Sequence, residues 1–428
     1  MKRASMLWMS RIVPLVLASL SLLTPLTPTC AAQAYSVTVL PALNGLKGTN
    51  NHPTVIYGMN KSGQVTGVSP STNDGPHAFL WTPGTGILDL GAGKYSHGGG
   101  VNDLGHVAGQ YLVPSDTWHA FLWTPDNGLQ ELGPTGESSQ GTGLNNVDQV
   151  IGELGAHAFR STPGASDLED LGTLGGTYSF AYGINDSGQV MGLAQTNTGQ
   201  VPFFWSEATG MLGIDGLGDA RGINEVGQVA GETLVGHAAL WTQSGGIDDL
   251  GILPGTTYGF ARGVNNHGVA VGNSWAINQY PGFVLLWSPT QGMLNVNSLC
   301  KNKLQNWTAV GINDAGQIAI NKKGGVAVLL TPIIKVAASS SQDPSHVGQS
   351  ITLTATTGSI AGPPPDGETI TFMDSTTVLG SAPLVNGSAT ITLSSLGAGV
   401  HPIKATYAGD TNYSAATSKV LQQKVVTP

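Results

Sequence analysis

Short apolar runs separated by polar corners occupy most of this chain, and they predict strands rather than helices. Between residues 35 and 333 the runs are four or five residues long, rich in β-branched, aromatic and leucine residues, and bounded by Gly and Pro. His77–Trp81, followed after a Thr-Pro-Gly corner by Ile87–Gly91, shows the pattern. No helical period extends over an 18-residue window here, which excludes helical solenoids. An all-β fold is therefore expected.

The polar corners recur with a nearly constant period. The asparagine of a Gly-apolar-Asn run returns at steps of 39 to 48 residues, at Asn60, Asn102, Asn145, Asn185, Asn224, Asn265 and Asn313. A period near 40 indicates a repeat architecture. Each asparagine opens a corner such as Asn185–Gly188 that is followed by an apolar run, which predicts a β-hairpin. Two hairpins per copy make four strands, the content of one propeller blade.

Seven copies predict seven blades, and the two ends of the repeat region are expected to complete the last one. The seventh copy, residues 309–332, stops before it supplies an Asp-Leu-Gly strand. Near the front of the chain, Thr38–Gly45 aligns with Glu169–Gly176 of the third copy. An N-terminal strand in the last sheet would tie the ends together and leave no unpaired edge. The prediction is a seven-bladed β-propeller over residues 35–333, closed by the N-terminal strand.

The repeated motifs resemble those of the extracellular HAF-repeat family of bacteria. They are Gly-Ile-Asn-x-x-Gly-Gln-Val-x-Gly, His-Ala-Phe-Leu-Trp and Asp-Leu-Gly, and His-Ala-Phe itself stands at His77–Phe79, His119–Phe121 and His157–Phe159. The resemblance covers about residues 35 to 333. It implies export and a repeat architecture more than any activity.

The composition changes after Pro332. Residues 334–428 are rich in Ser, Thr, Ala and Val, and their runs alternate apolar and polar residues between turn residues. This pattern predicts a sandwich of two antiparallel sheets. The segment Tyr407–Tyr413 resembles the Tyr-x-Gly-Asp-x-Asn-Tyr motif of bacterial Ig-like repeat domains, which implies a spacer or adhesive module.

Residues 1–34 have the pattern of a secretory signal peptide. Three basic residues precede an apolar stretch from Ile12 to Leu26, and Ala32-Gln33-Ala34 offers a cleavage site after Ala34. The mature chain is therefore expected to be secreted or held at the cell surface, without a transmembrane segment. It would keep one cysteine, Cys300, which excludes an internal disulfide and favours a structural thiol.

Charge and the repeated histidines narrow the function further. The whole chain carries a formal net charge of −9, and this acidic balance disfavours nucleic acid. His77, His119, His157 and His237 occupy one repeat position, so they should stand in separate blades, bonded to blade backbone or a neighbouring turn, and not converge on a metal. We expect a monomer that binds no cofactor and no metal.

Function is expected where the copies differ, because loops carry specificity on a rigid frame. The long connections, and the positions before two Gly-Ile-Asn-type runs, hold aromatic and arginine side chains suited to stacking on sugars or binding carboxylates. The candidate ligand-binding residues are Tyr95, Trp118, Tyr178, Phe180, Arg221, Tyr258, Phe260, Arg262, Trp275 and Trp307.

The leading hypothesis is a secreted or cell-surface, non-enzymatic binding or adhesion protein whose propeller face recognises a carbohydrate or a surface protein. Two alternatives stay open. One is a propeller-type polysaccharide hydrolase or lyase, with Asp116, Glu153, Asp219 and Glu232 as acidic candidates. The other is a purely structural extracellular protein. The sequence contains no nucleophile elbow, phosphate loop or His-Glu-x-x-His motif, so no catalytic residue is assigned.

Overall fold

A computed structural model describes residues 33–43, 54–71, 75–91, 93–134, 136–164, 168–300 and 306–428. These residues form an all-β structure whose one described helical element is the 3₁₀ turn Val296–Ser298. The predicted signal peptide lies outside the described residues except for Gln33 and Ala34. No helix in the described part of the chain is long and apolar enough to cross a bilayer.

Residues 35–332 contain seven four-stranded antiparallel sheets, numbered I to VII in the order of their first strands. The first strand of the chain is β1 (Tyr35–Val39). Sheet I holds β2 (Val55–Met59), β3 (Val65–Pro70), β4 (Pro76–Thr82) and β5 (Gly86–Asp89). Sheet II holds β6 (Ser96–Val101), β7 (Val107–Leu112), β8 (Trp118–Thr124) and β9 (Gly128–Leu132). Sheet III holds β10 (Ser139–Leu144), β11 (Val150–Leu154), β12 (His157–Ser161) and β13 (Leu168–Asp170).

The remaining sheets follow the same plan. Sheet IV holds β14 (Gly175–Ile184), β15 (Val190–Thr196), β16 (Gln200–Ser206) and β17 (Gly210–Gly213). Sheet V holds β18 (Leu217–Ile223), β19 (Val229–Thr233), β20 (Ala238–Thr242) and β21 (Gly246–Gly251). Sheet VI holds β22 (Tyr258–Val264), β23 (Ala270–Trp275), β24 (Phe283–Ser288) and β25 (Gly292–Asn295). Sheet VII holds β26 (Trp307–Ile312), β27 (Ile318–Lys322), β28 (Val326–Pro332) and β1.

Sheet VII takes its fourth strand from the front of the chain. Val39 pairs with Val328 and Val37 with Leu330, and the main-chain nitrogen of Leu40 donates a hydrogen bond of 3.0 Å to the carbonyl oxygen of Ala327. The predicted pairing of the N-terminal strand with the last sheet is confirmed. The end of the aligned segment, residues 44 and 45, lies outside the described residues.

The hydrophobic core lies between neighbouring sheets. Trp81 of sheet I packs in one cluster with Ala319 and Leu329 of sheet VII, and Trp205 of sheet IV packs with Ile151 of sheet III. Ala78 and Phe79 of the His-Ala-Phe motif are fully buried. A four-stranded sheet covered on both faces explains why its central strands read as continuous apolar runs. The repeated tryptophans accordingly pack between sheets, as their single repeat position predicts.

The repeated asparagines form a hydrogen-bond circuit through all seven sheets, called here the asparagine circuit. The Nδ2 of each donates to the main-chain oxygen of the asparagine in the next sheet at 2.8 to 3.1 Å, and Asn313 returns to Asn60 at 3.3 Å. Each Oδ1 accepts from the main-chain nitrogen four residues on, at 2.8 to 3.0 Å. One buried amide therefore closes its own corner and joins the next sheet.

The repeated histidines contact a different partner from the one predicted. Their Nδ1 atoms lie 2.5 to 3.1 Å from a carboxylate on the fourth strand of the same sheet, in the pairs His77–Asp89, His119–Glu131, His157–Asp170 and His237–Asp249. The expected bond to backbone or to a neighbouring turn is wrong, because the acid twelve or thirteen residues on lies on the adjacent fourth strand, opposite the residue two positions after the histidine. This pairing links the His-Ala-Phe and Asp-Leu-Gly motifs.

Residues beyond 334 form two packed sheets. The first holds β29 (Lys335–Ser340), β31 (Ile351–Gly358) and β34 (Ser388–Leu393). The second holds β30 (Ser345–His346), β32 (Thr369–Asp374), β33 (Thr377–Pro383), β35 (Gly399–Tyr407), β36 (Ala416–Thr417) and β37 (Leu421–Val426). Leu353, Phe372 and Ile403 are fully buried between them. The edge strand β33 is largely exposed.

Replacing Tyr35 tests how strongly β1 holds sheet VII. Tyr35 is fully buried among Val271, Leu286 and Leu330, and its hydroxyl has no hydrogen-bond partner among the described residues. Tyr35→Ala should lower the free energy of unfolding by about 3–5 kcal/mol in urea denaturation, because it leaves a cavity. Tyr35→Phe should be neutral or stabilising, because it removes an unpaired buried hydroxyl. Equal losses for the two variants would contradict this account.

Removing one member of the asparagine circuit should destabilise two neighbouring sheets. Asn185→Ala leaves the Asn224 oxygen and the Gln189 main-chain nitrogen without their bonds of 3.1 and 3.0 Å. We expect a loss of about 1–3 kcal/mol in the free energy of unfolding, measured by urea denaturation. The control is Val226→Ala, at a 67% exposed position of the next corner, which should change stability by less than about 0.5 kcal/mol.

Candidate functional site

The first strand of each of the seven sheets contains a β-bulge at the same repeat position. The pairing register shifts just before the glycine of each Gly-apolar-Asn run, for example between Ile56 and Gly58 and between Ala261 and Gly263. A bulge leaves one residue unpaired and redirects its side chain. These unpaired residues, called here the bulge residues, are Tyr57, Gly99, Thr142, Tyr182, Arg221, Arg262 and Val310.

All seven bulge residues line one cavity of about 510 Å³, called here the bulge cavity. Its volume lies in the range of small-molecule sites. At four of the bulges, the glycine that follows lets the first strand approach the next one, as at Gly58, Gly100, Gly222 and Gly263. A Cβ atom on Gly58 would lie 2.9 Å from the Cα of Gly100, and one on Gly100 would lie 2.9 Å from the Cα of Gly143. The repeat therefore keeps the backbone constant and varies the residue before the glycine.

Aromatic side chains occupy much of the cavity wall. Tyr57 and Tyr280 are about half exposed, at 49% and 52%. The ring of His97 lies 6.2 Å from that of Tyr57 and 5.3 Å from that of Trp118, centroid to centroid. Burial lowers the pKa of His97, so this imidazole is neutral at pH 7. The wall thus presents several ring faces beside an uncharged histidine.

Two glutamine side chains of the wall are not used by the fold. Gln110 and Gln140 form no side-chain hydrogen bond with any residue that the structure describes. Asn321, by contrast, is committed, because its Oδ1 accepts from the Ile56 nitrogen at 2.9 Å and its Nδ2 donates to the Ile56 oxygen at 2.8 Å. The two glutamines leave both donors and acceptors available to a ligand.

The two arginines of the wall differ in their surroundings. Arg221 donates to Asp219 Oδ2 from Nε at 3.1 Å and from Nη2 at 2.8 Å, and it lies over the ring of Tyr182. Arg262 donates from Nη2 to the Tyr280 hydroxyl at 2.8 Å and lies over the ring of Phe260. Arg221 is therefore paired with a carboxylate, whereas Arg262 meets a phenol and an aromatic face.

The structure brings three of the predicted site residues together in the cavity wall, namely Phe180, Arg221 and Arg262. Trp118, Trp275 and Tyr258 lie outside the lining. Trp118 is tilted against His97 of the wall at 5.3 Å, and Trp275 meets the Tyr280 ring edge-on at 5.1 Å, with Tyr258 tilted against Trp275 at 5.8 Å. Tyr95, Tyr178, Phe260 and Trp307 do not line the cavity. Phe260 and Trp307 are buried, so both pack into the sheets.

Sequence reasoning missed Tyr57 and Tyr182 as candidate site residues. Both had a signal, because they stand directly before the glycine of a Gly-apolar-Asn run, as Arg221 and Arg262 do. The signal is easily overlooked, since the bulge that gives this position its direction is visible only in the pairing register.

The acidic candidates lie outside the described lining of the bulge cavity. Asp219 is paired with Arg221, and it stands directly across the strand pair from Glu232. Burial raises the pKa of Glu232, and the charge of Asp219 raises it further. Burial also raises the pKa of Glu153. Asp116 occupies an exposed turn with φ of 59°. The lining therefore presents no carboxylate pair for acid–base chemistry.

The opposite end of the seven first strands carries the residues that follow the circuit asparagines. Asp103, Asp186, Glu225 and Asp314 surround a cavity of about 190 Å³ together with Lys61. The Lys61 Nζ lies 3.3 Å from Asp103 Oδ2 and 4.0 Å from Asp186 Oδ2. Each of these carboxylates also accepts from a main-chain nitrogen of the preceding sheet at 2.8 to 2.9 Å. The hydrogen bonds of these carboxylates join neighbouring sheets.

Neither a metal nor a reactive thiol is indicated in the part of the chain that the structure describes. It contains no group of three or more histidine, cysteine or acidic side chains placed to hold a metal ion. Burial raises the pKa of Cys300 to about 11, so its thiol is protonated at neutral pH. Cys300 packs beside the core cluster of sheets VI and VII.

A known family model matches the last part of this chain. Residues 338–426 match the model of the Bacterial Ig-like domain (group 3) family. No curated protein matches the chain. Among solved structures, it is similar to the extracellular domain of a putative hybrid two component system from B. thetaiotaomicron, with 9% identity, a TM-score of 0.43, and coverage of 92% of this chain and 60% of that one.

A second similar structure is the extracellular domain of a putative one component system from the same organism. It has 10% identity and a TM-score of 0.38, with coverage of 93% of this chain and 59% of that one. The chain thus spans about three fifths of the length of both structures.

The raised pKa of Glu232, beside the cavity wall, predicts a pH-dependent effect on stability. A carboxyl whose pKa is higher in the folded protein than in the unfolded chain destabilises the fold above its unfolded pKa of about 4.3, and this penalty disappears below it. Glu232→Gln should therefore raise the thermal unfolding midpoint at pH 7 and have no effect near pH 3.5. The exposed Glu137→Gln serves as the control. A gain that persists in acid would refute this interpretation.

Proposed function

We propose that residues 35–333 form a closed seven-bladed β-propeller of the HAF-repeat type and that residues 334–428 form an Ig-like module. Three observations support this division. Seven four-stranded sheets follow one another along the chain, β1 pairs in sheet VII, and the asparagine circuit runs from Asn313 back to Asn60. Closure of this kind gives the last sheet its full four strands and leaves only short outer edges.

The proposed function is non-enzymatic binding of a carbohydrate in the bulge cavity, by a protein that is exported and acts outside the cell. The convergence of all seven bulge residues on one cavity carries this proposal. Aromatic faces stack on the apolar faces of sugars, while the free amides of Gln110 and Gln140 suit sugar hydroxyls. The signal-peptide pattern of residues 1–34 supports export.

The position of the Ig-like module agrees with a binding role for the bulge cavity. Ala315, in the corner that begins at Asn313, packs in the core cluster of the sandwich, and a Cβ on Gly316 would lie 2.1 Å from the Cβ of Ala361. This corner belongs to the end that carries Asp314 and Lys61. The module therefore contacts the end away from the bulge residues, which leaves the cavity accessible and suits a spacer.

The alternatives receive less support. Hydrolysis of a glycosidic bond typically uses a pair of carboxyl groups, and the described lining contains no carboxylate. A purely structural protein would have no use for half-exposed tyrosines around a cavity.

Glycan binding and its dependence on the bulge tyrosines test the proposal. The full chain, screened on a glycan array, should bind at least one class of polysaccharide. Tyr57→Thr and Tyr182→Thr should each weaken that binding about two- to tenfold in titration calorimetry, because each removes one stacking face. Threonine is chosen because Thr142 occupies the equivalent bulge in sheet III.

Tyr258→Thr is the matched control, because Tyr258 is exposed but stands two rings behind the cavity wall. It should leave the affinity unchanged. Failure to bind any glycan, or binding that is insensitive to both bulge tyrosines, would count against this function. Binding of a surface protein in place of a glycan would favour protein recognition.

A further inference from the structure

The charge of the bulge cavity is opposite to that of the whole protein. The chain has 26 acidic and 17 basic residues, with a formal net charge of −9. Among the described residues that line the cavity, the fully charged side chains are Arg221 and Arg262, and no aspartate or glutamate is present. His97 adds no charge, because burial lowers its pKa. A positive cavity in an acidic protein attracts anions selectively.

The two arginines do not contribute equally to this attraction. Asp219 accepts two hydrogen bonds from Arg221 and neutralises it. Arg262 forms no ion pair with any residue that the structure describes, and its one hydrogen bond goes to the neutral phenol of Tyr280. Its Nε is buried and has no partner among the described residues. A guanidinium without a counterion gains more from an arriving anion than a paired one does.

Glu232 is an acidic residue whose charge acts on Arg262 without forming an ion pair with it. It lies outside the cavity lining and beyond ion-pair distance of Arg262. Burial and the neighbouring Asp219 raise the pKa of Glu232, whereas the charges of Arg262 and Arg221 lower it, and the net direction is upward. The guanidinium of Arg262 therefore has no carboxylate in direct contact among the described residues.

We propose that the carbohydrate bound in the bulge cavity is acidic, with a uronate carboxylate that accepts hydrogen bonds from Arg262. This inference rests on the proposed function. The planar guanidinium matches a planar carboxylate, and charge-assisted hydrogen bonds are about twice as strong as neutral ones. The rings of Tyr57 and Tyr182 supply sugar-stacking faces in the same wall. A uronic acid combines both features in one unit, whereas a neutral sugar leaves Arg262 without its acceptor.

A matched pair of ligands tests this inference. The probes are a galacturonate oligomer and the same oligomer after its carboxyl groups have been reduced to alcohols, so that length and linkage are identical. Binding to the full chain is measured by titration calorimetry. We expect the uronate form to bind at least about tenfold more tightly than the reduced form, and added salt to narrow this difference.

A matched pair of variants locates the effect. Arg262→Gln should remove the preference for the uronate form while binding of the reduced form stays the same. Arg160→Gln changes the net charge equally, but Arg160 lies outside the cavity, paired with Glu169 and Glu207. It should leave the preference intact. Unfolding midpoints show whether both variants fold. The comparison of the two ligands uses the unmodified chain and does not depend on the variants.

The outcomes separate this inference from the proposed function. Equal binding of the uronate and reduced forms overturns the acidic preference and leaves carbohydrate binding in place. No binding of any glycan overturns both. A sulfated galactose oligomer that binds as tightly as the uronate overturns the assignment of a carboxylate. If no glycan binds and a peptide binds through its terminal carboxylate to Arg262, the assignment of a carbohydrate ligand is overturned.

Discussion

The hydrogen bonds of the asparagine circuit are the constraint on which the seven sheets depend. Each side chain is buried and must satisfy both its oxygen and its nitrogen. The oxygen closes the corner of its own sheet, and the nitrogen reaches the main chain of the next sheet. A corner can therefore be fully satisfied only when its neighbour is in place. Local turn formation and assembly of the sheets are coupled through one amide group.

This coupling explains why the spacing of the repeat can vary. The circuit asparagines are 39 to 48 residues apart, yet their hydrogen bonds stay within 2.8 to 3.3 Å. The connections that absorb the difference in length lie away from the corners. The side chain that follows each circuit asparagine accepts a hydrogen bond from a main-chain nitrogen of the preceding sheet. Lys61 is the exception, because a lysine side chain has no acceptor. Its ammonium group instead lies among the carboxylates of Asp103 and Asp186.

The circuit also allows the bulge positions to vary. In every first strand the bulge residue stands three positions before the circuit asparagine, as Arg262 does before Asn265. The glycine and the apolar residue between them pack against neighbouring strands, and the circuit asparagine is fixed by its hydrogen bonds, so the backbone on the C-terminal side of the bulge residue is fixed. The bulge residue is free to be tyrosine, arginine, threonine, valine or glycine, because its side chain takes no part in pairing. Residues that hold the sheets together and residues that face the cavity therefore share one strand.

The sequence by itself determined the all-β class, the number of repeat copies, the pairing of β1 with sheet VII and the sandwich at residues 334–428, because periodicity and turn residues act locally. Of its candidate binding residues, Phe180, Arg221 and Arg262 line the bulge cavity, whereas Phe260 and Trp307 are buried. Only the tertiary structure decided which aromatic residues share a cavity, that the histidines pair with carboxylates, and that Arg262 lacks a counterion. These features depend on contacts between strands and sheets that are far apart in the chain, and such contacts leave no local pattern of residues.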